Sequence, residues 1–274
     1  MRTALVLGGG GITGIAWEVG VLQGLRRGGV DLTGADLVVG TSAGSIVATM
    51  VTNGLDLDAA VKMQREEQAQ KQPAIDVGPA MRAFGLLRDP SLDPLQARAR
   101  VGARALSAEL GDPERQVRWF AARTPRQEWP ERRLVITAVE AESGEFVAWD
   151  RDSGVPLVRA MAASCAVPCV FPPVAINGRH YIDGGVRSGT NADLAAGCSE
   201  IVVIAPMAES PIGTPPGELD ELRERASVTL IKPDAETLRA IGPNVLDASR
   251  RVAALQAGLA QGAALAREGA VRLG

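Results

Sequence analysis

The chain predicts an α/β fold, three layers deep (α/β/α), around a mainly parallel central sheet. Three observations predict it. Short apolar runs alternate with segments of helical period, two of those runs break directly into glycine turns that open helices, and 46% of the 274 residues are hydrophobic, enough for a core covered on both faces. No linker separates two independently foldable halves, so residues 1–274 read as one domain.

Thr3–Leu7 is a continuous apolar run, the pattern of a strand buried on both faces of a parallel sheet. After the glycines at 8–11, Ile15, Val19 and Leu22 recur at helical spacing, and Arg26-Arg27 followed by Gly28-Gly29 closes that helix. Asp36–Val39 is the second short strand, and a helix from Ser45 to Val51 ends at Asn53-Gly54. From Pro73 to Pro130 the pattern loosens into proline-punctuated helical segments, expected to form a mobile cap inserted over the sheet. Arg133–Val139 and Glu145–Trp149 read as strands, Leu157–Ser164 as a helix, Pro168–Pro173 as a turn, and Arg179–Ile182 and Ile201–Ile204 as two further strands. Residues 244–274 are Ala-rich and predict one or two C-terminal helices whose Leu255 and Leu259 pack on the sheet.

Composition removes several function classes. A net charge of −3 argues against a nucleic-acid binder. The 26 arginines among 29 basic residues read as a compositional bias of the genome. A single histidine, His180, excludes a zinc site built on several histidines and any chemistry that needs two imidazoles. Cys165, Cys169 and His180 lack a fourth ligand, so neither metal nor organic cofactor is expected. The odd number of cysteines suits free thiols, the apolar run after Arg2 is too short for a secretory signal, and no stretch reaches the length of a spanning helix, so a cytoplasmic location is expected.

The strongest chemical signal is Gly40-Thr-Ser42-Ala-Gly44, lying between an apolar strand and a helix. In that context G-x-S-x-G is a nucleophile elbow: the serine sits on a sharp turn, and the positions two before and two after must be nearly free of side chain. The helix N-terminus behind Ser42 contributes partial positive charge where an alkoxide and an oxyanion develop. A second glycine motif, Gly9-x-Gly11-x-x-Gly14, also follows a strand and opens a helix. It fits a dinucleotide fingerprint, but the second strand ends in Gly40-Thr-Ser42 where that reading needs an acid for the ribose. The other reading makes Gly9, Gly10 and Gly11 an oxyanion hole of backbone donors, beside Ser42 at the carboxyl ends of two adjacent strands.

The base lies in Arg179-His-Tyr-Ile-Asp183-Gly184-Gly185. Within a strand, positions 180 and 183 point to opposite faces, so only one of His180 and Asp183 faces Ser42. Asp183 ends its strand before two glycines that permit a tight turn, whereas His180 sits inside the strand as a structural residue. The pattern favours a Ser42–Asp183 dyad, with the aspartate desolvated against the serine hydroxyl.

These motifs, with Ala163-Ser-Cys-Ala-Val-Pro168-Cys-Val-Phe-Pro-Pro173 and Asn191 after the Asp-Gly-Gly turn, resemble the patatin-like phospholipase family in order and spacing over roughly residues 4–205. The resemblance implies the three-layer fold and a serine–aspartate dyad that hydrolyses acyl esters of lipids, with Ser42 as nucleophile, Asp183 as base and backbone N–H groups near Gly10 and Gly11 as oxyanion donors. Gly14, Gly40, Gly44, Gly184 and Gly185 complete its motifs. The chain departs at Thr13, where the family often has Arg or Lys, expected to remove a charge near the mouth of the site. It departs again at Ala192, where the family often has proline. A non-catalytic lipid-binding or regulatory protein on the same fold remains the alternative.

The expected substrate is a lipid or other acyl ester, with transient contact to a membrane surface. Arg98–Arg133 carries nine arginines against five acids, which suits an anionic head group but equally a set of solvated helix faces. Trp119-Phe120 and Trp129 are read as core packing of the cap rather than interface anchors.

Overall fold

The structure is a computed structural model that describes residues 2–68, 75–210, 215 and 217–272. Its elements run β1 (Thr3–Leu7), α1 (Gly11–Arg27), β2 (Leu37–Gly40), α2 (Ala43–Thr52), α3 (Leu57–Gln68), α4 (Gly78–Gly85), α5 (Pro94–Leu106), α6 (Pro113–Arg123), β3 (Arg133–Glu140) and β4 (Phe146–Trp149). They continue with α7 (Leu157–Ser164), β5 (Val174–Ile176), β6 (Arg179–Asp183), β7 (Glu200–Ile204), α8 (Glu218–Arg223), β8 (Ser227–Ile231), α9 (Ala235–Ile241) and α10 (Arg251–Arg267). The sheet order is β5-β6-β3-β2-β1-β7-β8, with β4 paired to β3.

Pairing is parallel from β3 through β2, β1 and β7 to β8, as βαβ connections require, and antiparallel at the β3, β4, β5, β6 corner. The alternation of side chains sorts the core by parity. Leu5, Leu7, Val38 and Ile136 face α1, α2, α7 and α10, while Ala4, Val6, Leu37 and Val39 face the shorter elements around Ala192, Leu219 and Leu222. A third apolar cluster joins α4 and α5 to Val139 and Ile182, so the inserted helices pack on the far end of β3 and β6.

Local chemistry explains the insertion's helices. Asp93-Pro94 and Asp112-Pro113 each place an N-cap carboxylate before a proline at the first helical position, and the two aspartates accept from the N–H groups of Gln96 and Glu114 at 2.9 Å. Phe120 is buried and Trp129 donates its indole N–H to the Val155 carbonyl at 2.7 Å, but Trp119 stays half exposed beneath the Arg123 guanidinium. The start of the expected cap, at Pro73, lies outside the described residues.

The C-terminal helix is seated by close approach. Leu255 and Leu259 lie in α10, where Leu255 is buried in the apolar cluster on the sheet face with Leu259 packed against it, and the helix runs closely along α1. A Cβ at Gly20 or Gly24 would strike the carbonyls of Leu255 and Leu259, and one at Gly258 or Gly262 would strike those of Trp17 and Val21. Four glycines at four-residue spacing on two helices thus set the interaxial distance.

Candidate active site

β2 and β6 reach the site along the same edge of β3. Ile136 pairs with both Gly40 and Trp149, and Ala138 with both Val147 and Asp183. A strand residue has one partner per edge, so β4 takes one edge of β3 and the other is shared, end to end, by β2 and β6. The parallel strand stops at Gly40 and the antiparallel one at Asp183, which brings Ser42 and Asp183 tip to tip. β1, on the other side of β2, delivers the glycine loop at the same level, with Leu7 in register with Gly40.

Ser42 is the N-cap of α2 and holds φ 53°, ψ −119°, a conformation that costs an L-residue of order 1–3 kcal/mol. The neighbouring glycines make that turn possible through close approach: a Cβ at Gly44 would collide with the Leu7 carbonyl, and one at Gly40 would lie 2.6 Å from the Ser45 Cα. Gly14 packs against Pro206, and Gly184 against Thr137.

Asp183 is buried, at 3% exposure. Burial pushes its carboxyl up to about 7, while the Ser42 hydroxyl and the Gly185 N–H, which donates to Oδ1 at 2.8 Å, pull the other way. The carboxyl therefore exchanges its proton in the neutral range, beside a serine.

The glycine loop divides its work. The Gly9 N–H donates to the Gly189 carbonyl at 2.7 Å, which removes Gly9 from the expected set of oxyanion donors. It instead forms a wall, where a Cβ would lie 3.6 Å from that of Ser42. The N–H groups of Gly10 and Gly11, at the start of α1, find no acceptor among the described residues.

Behind Ser42 and Asp183 lies a polar network that no sequence motif assigned. The buried Asn191, in the left-handed region, donates to the Thr41 hydroxyl at 3.0 Å and to the Ser188 carbonyl at 2.8 Å. The Thr41 and Thr137 hydroxyls are 2.9 Å apart. The residue before Ser42 is thus tied to β3 and to the turn after Asp183. Only the placement of Asn191 after the Asp-Gly-Gly turn signalled this in sequence.

Both departures acquire physical content. Thr13 is not at the mouth: it is fully buried, and its hydroxyl donates to the Val245 carbonyl at 3.2 Å. Ala192 donates its N–H to Glu218 Oε1 at 2.6 Å, a bond proline could not make. His180 points away from Ser42 and pairs through Nδ1 with Glu142, 2.6 Å away on the surface. Among the described residues no group of three His, Cys, Asp or Glu could hold a metal ion, and no helix is long and apolar enough to cross a membrane.

Proteins described as uncharacterized NTE family proteins, from Mycobacterium bovis and Mycobacterium tuberculosis, are 30% identical over 207 residues, covering 72% of this chain and 49% of theirs. The chain spans about half the length of these curated relatives. Among solved structures, VipD from Legionella pneumophila aligns over 97% of this chain and 67% of its own, at 13% identity and a TM-score of 0.48. The type III effector protein ExoU aligns over 100% of this chain and 54% of its own, at 17% identity and a TM-score of 0.45. Residues 5–196, which carry the elbow, the glycine loop and the Asp-Gly-Gly turn, match the family described as Patatin-like phospholipase, and the chain belongs to that family.

Proposed function

We propose that the protein is a serine acyl hydrolase that cleaves carboxylic ester bonds of lipids, of the phospholipase A or lysophospholipase type, through a Ser42–Asp183 dyad and without a cofactor. The observation that carries this reading is a buried carboxyl with a pKa near 7 against the hydroxyl of a strained elbow serine. In acylation, Asp183 takes the Ser42 proton as Oγ attacks the ester carbonyl. The oxyanion is received by the N–H groups of Gly10 and Gly11. Collapse expels the alcohol, which leaves with the proton held by Asp183, and an acyl-serine remains. Water then gives a proton to Asp183 and attacks the acyl carbon; release of the fatty acid returns that proton to Ser42.

The N-terminal ends of α1 and α2 converge on this point and favour the developing negative charge. Burial is what suits an aspartate to the role, since an exposed carboxylate is too weak a base near pH 7. The test is hydrolysis of phospholipids, lysophospholipids and p-nitrophenyl acyl esters by wild type and by Ser42→Ala. Wild type is expected to release fatty acid and Ser42→Ala to fall by roughly 10³-fold or more. Lipid retention without turnover on every ester would instead identify a lipid-binding protein.

A further inference from the structure

Ser42 needs an external hold, because nothing in its own backbone preference keeps it at φ 53°. That hold comes from a segment 122 residues away. At the end of α7, the Ser164 hydroxyl accepts the Ser42 N–H at 2.9 Å. The Cys165 thiol donates to the Ser42 carbonyl at 3.2 Å, joining the Ser45 hydroxyl, which donates to that same oxygen at 2.7 Å. One residue on, the Ala166 carbonyl accepts the Asp183 N–H at 3.0 Å. Three consecutive residues therefore grip both peptide groups of Ser42 and the amide of Asp183.

We propose that Ser164-Cys165-Ala166 is the positioning element of the dyad, with Ser164 as its principal contact: a segment that fixes the distance between Ser42 and Asp183 by hydrogen-bonding both. The inference rests on the hydrolase reading for its kinetic consequence, but its geometry does not depend on that reading. Every group in the clamp is buried, so no water replaces a lost partner. Ser164 also holds the Ser42 N–H away from the substrate, which leaves oxyanion donation to the glycine loop. The segment is itself braced: Gln116 of α6 donates its amide to the Cys165 carbonyl at 3.2 Å, and Arg159 of α7 pairs with Glu114 of α6 at 2.9 Å. The Cys165 thiol is pushed up by burial and by the nearby Asp183, so it serves as a neutral donor rather than a second nucleophile.

The experiment compares wild type, Ser164→Ala and Ser164→Thr, all full length, by three readouts: thermal unfolding, hydrogen exchange of the Ser42 amide, and the rate at which a fluorophosphonate labels Ser42. The expected result for Ser164→Ala is Ser42 amide exchange faster by roughly tenfold and labelling slower by roughly 10–100-fold in a folded protein, with Ser164→Thr recovering most of both. Where wild type labels, ester kinetics should show the loss in kcat with KM nearly unchanged. Ser164→Ala that is folded, with unchanged exchange and unchanged labelling, overturns the proposal. If wild type does not label at all, the hydrolase reading fails, and the exchange of the Ser42 amide alone decides whether Ser164 holds it.

Discussion

The buried Asp183 carboxyl and the Ser42 hydroxyl meet because the strands that carry them enter from opposite ends of one edge of β3, in register with Ala138 and Ile136. At that junction Asp183 is buried, and burial is what raises its carboxyl pKa. Its raised pKa is a consequence of topology, and several outcomes follow from it.

Catalysis should track the ionised form of Asp183. With its carboxyl at about 7, kcat/KM is expected to fall about tenfold per pH unit below that value and to level off above it. A profile flat from pH 5 to pH 8 would remove Asp183 from the role of base.

Stability should respond in the opposite direction. Because the folded-state pKa is raised above the unfolded value of 3.8, the folded protein binds the proton more tightly. The contribution of Asp183 is most favourable below about pH 4 and declines as pH rises to about 7. Asp183→Asn should therefore be inactive yet more stable at pH 8, by on the order of 1–3 kcal/mol. Glu18 of α1 acts in the same sense: it is fully buried, neither carboxylate oxygen has a close hydrogen-bond partner among the described residues, and burial raises its pKa well above the ordinary value against a smaller pull from the Gly8 backbone. Glu18→Gln should shift the melting temperature upward at pH 8 more than at pH 4, as calorimetry across that range would show.

His180 should be dispensable. It pairs with Glu142 at the surface, where an ion pair contributes little, so His180→Asn is expected to keep ester hydrolysis within about threefold of wild type. Loss of activity comparable to that of Asp183→Asn would contradict the dyad.

The α1–α10 contact should reverse the usual effect of alanine. In a solvated helix Gly→Ala stabilises by about 1 kcal/mol, but Gly24→Ala drives a methyl into the Leu259 carbonyl and is expected to destabilise by about 2 kcal/mol or more. Gly85→Ala, which meets no atom within 4 Å, is the control and should not destabilise. Chemical denaturation of the two variants measures the difference.

What could be read from sequence was whatever a local pattern carries. β1 and α7 match their expected bounds because an apolar run and a helical period each define themselves over a few residues. The second strand runs one residue later than Asp36–Val39, since the Asp36 N–H donates to the Thr3 hydroxyl at 3.1 Å instead of a strand carbonyl, and Gly40 pairs with Leu7. The elements that went unread, α3, β5, α8, β8 and α9, are short or weakly apolar and are fixed by tertiary neighbours. At the site, the positions of Ser42, Asp183 and the glycine loop were legible, because elbow and turn chemistry restrict the residue type. That Gly9 spends its N–H on Gly189, and that Ser164 holds Ser42, depend on contacts across 180 and 122 residues, which no local pattern encodes.

The most direct measurement is the mass of the Ser42-containing peptide after the folded protein meets a fluorophosphonate. A single adduct on Ser42 is expected, absent from Ser42→Ala and strongly slowed in Asp183→Asn. No adduct on folded wild-type protein, or full ester hydrolysis by Ser42→Ala, would contradict Ser42 as the nucleophile.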